Sequence, residues 1–146
     1  MPTLPWYLAA LAAAVVWGIH YPLVDHALKK LSLPGVLLLT ALPILLLALF
    51  AQRQLANDVG VLHAASWPER LLLLAPALTS LIGSVLLFAA IGAKNATLAS
   101  LIEISYPAFV ALFAWLLFKE VHLTPSALLG GALVMSGVVL IASSNP

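Results

Sequence analysis

Glu103 is the one charged side chain in the interior of any of five apolar stretches, 5–25, 35–52, 71–93, 96–118 and 125–143; Asp25 only closes the first of them. Glu103 stands four residues before the midpoint of its stretch, residue 107. A carboxylate that deep in hydrocarbon costs at least ~2.5 kcal/mol on insertion scales, and acids so placed mark proton or substrate paths. Ser100, Glu103 and Tyr106 recur at steps of three, so a helix carries them along one slowly drifting side. Pro107 follows at once and removes a bond from the helical ladder. A polar, kinked helix side of this kind suits a cavity wall. The structural alternative is a protonated Glu103 acting as hydrogen-bonding glue between helices.

The first stretch holds Trp17-Gly18-Ile19-His20-Tyr21-Pro22. His20 lies five residues past the midpoint, residue 15, toward the side from which the fourth stretch starts back. At about 1.5 Å per residue, His20 and Glu103 come to nearly one depth. A histidine and a carboxylate at one level form either a titrating pair or two contacts to a polar substrate, provided that their azimuths agree. A histidine acting alone is a structural hydrogen bonder. Trp17 and Tyr21, one turn apart, add aromatic wall to the same helix. Asp25, His26, His63 and His122 stand at or beyond stretch ends and read as solvated. No His/Asp/Glu spacing suggests a metal site. No nucleophile–base pair or cofactor motif points to an enzyme.

Positioning these residues is the task of membrane-spanning helices. Of 146 residues, 64% are hydrophobic and 8% charged, and mean hydropathy is +1.14. Soluble domains carry roughly 25% charged residues. Each stretch approaches or exceeds the roughly 20 residues that a helix needs to cross hydrocarbon. A closed barrel would need alternating strands, which are missing from the pattern. The expectation is an all-α, polytopic protein with five transmembrane helices in one domain over 1–146. The first positive residue is Lys29; a cleaved signal would carry its charge ahead of the apolar run, so 5–25 reads as a retained helix. Cysteine is absent, which excludes disulfides and thiol chemistry. A net charge of +1 gives no basic patch for nucleic acid.

The connections 26–34, 53–70, 94–95 and 119–124 are short, and 53–70 alone has room for a small interfacial segment. Any function therefore lies within the helices. Five spans put the termini on opposite sides. Arg53, Arg70 and Lys119 then share the N-terminal side, and Lys29, Lys30 and Lys94 the other. Three against three leaves the positive-inside rule without a preference, as dual insertion would require. In the last stretch Gly130, Gly131 and Gly137, with Ala132 and Ser136 at small-xxx-small spacing, favour close helix contact within one chain or between chains.

Several runs carry a family resemblance. They are Trp17-Gly18, Asn95-Ala96-Thr97-Leu98-Ala99-Ser100 leading to Tyr106-Pro107, Phe113-Ala114-Trp115-Leu116-Leu117-Phe118-Lys119-Glu120, and Gly130-Gly131-Ala132-Leu133-Val134-Met135-Ser136-Gly137. Together they resemble an EamA domain of the drug/metabolite transporter superfamily over essentially the whole chain, most specifically in its second half. The last helix also resembles the dimerising helix of small multidrug resistance transporters. Typical members join two five-helix units as an inverted repeat around a midplane substrate site. The resemblance therefore implies a dimer, with an antiparallel homodimer the economical form and a heterodimer or parallel dimer the alternatives. Two departures matter. The first helix has His20 where small multidrug transporters carry their essential carboxylate. Many EamA units have an acid directly before the fourth-span proline, where this chain has Tyr106 and carries Glu103 one turn earlier.

The expected function is small-molecule transport across the bacterial inner membrane by alternating access, exporting a metabolite, amino acid or drug-like compound. Proton coupling would run through Glu103. Its wall would include His20, Tyr106, Trp17, Ser100 and Tyr21. The competing expectation is a non-transporting accessory or assembly subunit, such as one half of a heterodimeric translocator.

Overall fold

The computed structural model describes residues 5–120 and 124–144; His122 lies outside them. The described residues form helices α1 (Trp6–Leu28), α2 (Leu33–Phe50), α3 (Gln52–Ala64), α4 (Trp67–Ala93), α5 (Ala96–Glu103), α6 (Tyr106–Phe118) and α7 (Pro125–Ser144), with no strand among them. Five runs are long and apolar enough to cross a membrane: α1, α2, α4, Ala96–Phe118 formed by α5 and α6, and α7. The all-α, five-span expectation holds.

Helix ends follow capping chemistry more closely than polarity. Ser32 accepts from the Gly35 N–H at 3.4 Å, and Pro34 sits in the first turn, so α2 starts two residues before the apolar stretch that announced it. The Asn95 side chain accepts from the Leu98 N–H at 2.8 Å and starts α5. Thr124 Oγ1 accepts from the Ala127 N–H at 3.2 Å and starts α7. α1 runs on through Asp25 to Leu28, where Asp25 meets Lys29 Nζ at 3.5 Å. At the end of α6, Lys119 takes a left-handed conformation (φ 59°), and the Glu120 N–H reaches back to the Ala114 carbonyl at 3.3 Å. With the Lys119 N–H on the Trp115 carbonyl at 3.0 Å, that is the αL cap, built here on a residue other than glycine. The Lys119 ammonium lies 5.0 Å from the Trp115 ring centroid.

The chain packs as two compact units: residues up to Pro22 together with those from Ala93 onward, and Leu23–Gly92. In the first, α5 packs on α7, burying Ala96, Ala99 and Val138. Alanines on the α5 face allow its backbone to come close, the usual basis of helix association where lipid is as apolar as the side chains. The second unit buries Val24, Val36, Phe88 and Ile91. Most other large apolar side chains are exposed, Phe50 at 88% and Leu133 at 68%. Such a surface is stable only when hydrocarbon surrounds it.

The connection 53–70 is more ordered than a loop. α3 fills much of it with QRQLANDVGVLHA, whose Leu55, Val59 and Leu62 fall on one side at helical spacing. It is too short and polar to span, as an interfacial segment would be. Arg70, in the first turn of α4, closes its end. Nε donates to the Leu62 carbonyl at 2.9 Å, and Nη2 to those of His63 and Ala65 at 3.1 and 3.2 Å. These are carbonyls that a helix end leaves without intrahelical donors.

Candidate functional site

The polar residues singled out in the sequence gather within the first unit. Glu103 is the last residue of α5, and the helical ladder is interrupted directly after it. Ile104 (φ −57°, ψ −7°) and Ser105 (φ −68°, ψ −16°) stay right-handed but tighten the turn. The Ser105 N–H bonds to the Ile102 carbonyl at 3.1 Å, and the Ala108 N–H to Ser105 at 3.1 Å, both three residues back. Pro107 explains the break. It has no N–H for the carbonyl four residues earlier, which is that of Glu103, and its ring crowds the same group. The interruption thus centres on Ile104–Ser105, a turn before the proline, and it falls on the residue that carries the acid.

Glu103 is half-buried, and its carboxylate accepts a hydrogen bond from the Tyr21 hydroxyl, Oη to Oε2, at 3.0 Å. The link joins α1 to α5, and so the first span to the fourth. The sequence drew attention to His20 as the companion of Glu103; the structure shows a hydrogen bond from its neighbour Tyr21. One residue along a helix is a rotation of roughly 100°, and equal depth carries no information about azimuth. The polar side of the fourth span was the available signal for a partner, but it did not choose between adjacent residues of α1.

His20 turns its ring edge-on to Trp17, with centroids 5.0 Å apart and planes at 87°. Trp17 and Tyr21 lie 5.6 Å apart and tilted by 38°. The three rings form a cluster along one side of α1, held by i, i+3 and i, i+4 spacing. Trp17 is 52% exposed. A Cβ added at Gly18 would meet no atom within 4 Å, so space lies open beside the cluster. Pro22 withholds the N–H that would pair with the Gly18 carbonyl, just as Pro107 does for Glu103.

Ser100 stands one turn before Glu103 and donates its hydroxyl to the Thr97 carbonyl at 3.0 Å. Tyr106 starts α6 and is 56% exposed. A Cβ at Gly130, Gly131 or Gly137 would meet nothing within 4 Å, while α7 contributes buried Val138 to the first unit's core.

Chemically, the site is a carboxylate with one oxygen engaged by a phenol, next to an aromatic cluster and a helix interruption. Such a group can hold a proton or accept hydrogen bonds from a ligand. No curated protein and no solved structure matches the chain. A family model described as the EamA-like transporter family matches residues 4–143. With five apolar helices under that match, the chain belongs to the EamA-like transporter family and is a multi-pass membrane transporter of the drug/metabolite superfamily.

Proposed function

We propose that this protein moves a small molecule across the bacterial inner membrane by alternating access, with Glu103 as the binding group and a second five-helix unit completing the pathway. The observation that carries the reading is the Tyr21–Glu103 hydrogen bond at a helix interruption. Membrane transporters build midplane sites from broken helices, because the freed backbone and a polar side chain together replace the solvation of the cargo. The lone carboxylate also gives a proton a place to ride, which makes proton coupling through Glu103 the economical energy source.

The second unit is an identical copy in antiparallel orientation. The charge balance of three against three and the open space beside Gly130, Gly131 and Gly137 both favour it.

The test is reconstitution into vesicles and measurement of flux for amino acids, organic cations and neutral drugs, with and without a pH gradient. Glu103→Gln should lose at least tenfold in flux while retaining its helical circular dichroism and its elution on gel filtration. Full flux in that variant removes Glu103 from the mechanism. No flux for any compound, together with co-purification of a different five-helix chain, would assign the accessory-subunit role.

A further inference from the structure

We infer that α3 is an in-plane membrane helix, docked on the lipid interface through Leu55, Val59 and Leu62, and held there by apolar insertion rather than by attraction to anionic headgroups. This surface lies outside the Glu103 site and does not depend on the transport reading.

Connectivity fixes where α3 can lie. α2 and α4 are consecutive spans, so the end of the first and the start of the second meet the same side of the membrane. A single residue, Ala51, separates Phe50 at the end of α2 from Gln52 at the start of α3. At the other end Arg70, in the first turn of α4, holds the Leu62, His63 and Ala65 carbonyls at 2.9, 3.1 and 3.2 Å. Both ends of α3 are thereby tied to one membrane surface. Its 13 residues make a rod of about 20 Å, short of the roughly 30 Å of hydrocarbon. A rod held at both ends to one surface lies along it.

Residue placement fixes which side meets the lipid. At about 100° per residue, Leu62, Leu55 and Val59 fall within about 60° of arc, while Arg53 and Asn57 stand on the opposite side. None of the residues of α3 is buried, and Leu55 and Val59 are exposed, so the described chain leaves this apolar side uncovered. Exposed Phe50 and Trp67 flank α3 at its two ends, and tryptophan settles at headgroup depth. The acyl chains of that leaflet are the apolar phase within reach. Sunk fully into them, α3 would take Arg53, Asn57 and Asp58 along; lying in plane, it inserts its apolar side alone.

Charge decides the kind of lipid. Residues 51–70 hold two bases, Arg53 and Arg70, and two acids, Asp58 and Glu69, with no lysine. Interfacial helices that draw on anionic lipid are rich in Lys and Arg on their polar side. A balanced segment gains no such attraction, which leaves buried apolar area as the source of binding. Phosphatidylcholine therefore serves as well as phosphatidylglycerol.

The chain has no cysteine, so single cysteines at positions 52–62 of the full chain in lipid nanodiscs can each carry a nitroxide. Collisions with oxygen, which concentrates in hydrocarbon, and with a water-soluble nickel chelate then report depth. Oxygen collisions should peak at positions 55, 59 and 62 and nickel collisions at 53 and 57. The pattern should be the same in phosphatidylcholine alone and in mixtures with phosphatidylglycerol. Leu55→Asn combined with Val59→Asn should raise nickel collisions at 62 about threefold or more, with circular dichroism and gel filtration unchanged. Asn57→Ala, on the opposite side, should leave them as they are. High nickel collisions at 55, 59 and 62 in the otherwise native chain would place α3 in water and overturn the inference. Low collisions with both reagents would mean cover by a second copy or another protein, and would overturn it equally. An oxygen pattern that forms only with phosphatidylglycerol would overturn docking by apolar insertion.

Discussion

The Tyr21 hydroxyl donates to Glu103 Oε2 at 3.0 Å across 82 residues of sequence. It ties the residue before Pro22 in the first span to the last residue before the interruption in the fourth. One hydrogen bond thus connects two proline-weakened helices at the place where the chain carries its intramembrane charge.

Removing the hydroxyl should show how far the two residues act as a unit. A hydrogen bond to a charged group is worth about 1.5–3 kcal/mol when well sheltered, and partial exposure brings the expectation for Tyr21→Phe to about 1 kcal/mol. Ligand affinity should fall severalfold, and Tyr21→Phe added to Glu103→Gln should cost little more than Glu103→Gln alone. A double-mutant cycle on binding measures this coupling; strict additivity would show that the contact is incidental.

Pro107→Ala restores the N–H that the Glu103 carbonyl lacks and removes the ring that crowds it. The span should become a continuous helix, with the amide at 107 protected from hydrogen exchange and the melting temperature raised. Flux should drop at least tenfold, because the carboxylate no longer sits at a break. A variant that is straighter, more stable and fully active would separate the interruption from function.

Arg70 closes α3 with three hydrogen bonds from one guanidinium. Arg70→Ala should cost about 1–2 kcal/mol in the local stability of α3, since charge-assisted bonds are stronger than neutral ones. Amide exchange in 61–65 should speed up about tenfold. Arg70→Lys should rescue it poorly, because an ammonium cannot span three carbonyls as a planar fork does. Spectroscopic loss of the transmembrane helices in Arg70→Ala would contradict so local a role.

Pairing of two units makes a separable prediction. A side chain at Gly130 or Gly137 meets open space within one chain, so Gly130→Leu and Gly137→Leu should fold normally but lose cross-linked dimer. Reporters on the C-terminus that score either side of the membrane should both be active in wild type, reflecting the charge balance. Adding two lysines to the 26–34 connection should silence one reporter and abolish flux, which an oppositely biased copy would restore. One-sided reporter signal in wild type rules out the antiparallel pair.

The spans were readable from sequence because solvation by lipid depends on length and composition alone: about 20 apolar residues suffice, whatever their neighbours. The fourth span was located to the residue, Ala96–Phe118. The others shift by a few residues, because local capping by Ser32 and the polar first turn of α4 extend helices beyond the hydrocarbon. The regularity of α3 was harder to anticipate, since its order depends on Arg70 reaching back from the next helix.

Sequence by itself determined that a single carboxylate falls in the interior of an apolar span, how many residues separate it from the midpoint, and which proline follows one turn later. These follow from counting along helices of known rise. Tertiary structure alone decided which side chain meets it. That the Tyr21 hydroxyl reaches Glu103 depends on the rotation of α1 about its own axis, which counting residues does not give. The packing of α5 on α7 decided that the last helix contributes Val138 to the core, while Gly130, Gly131 and Gly137 have no neighbour a Cβ would touch.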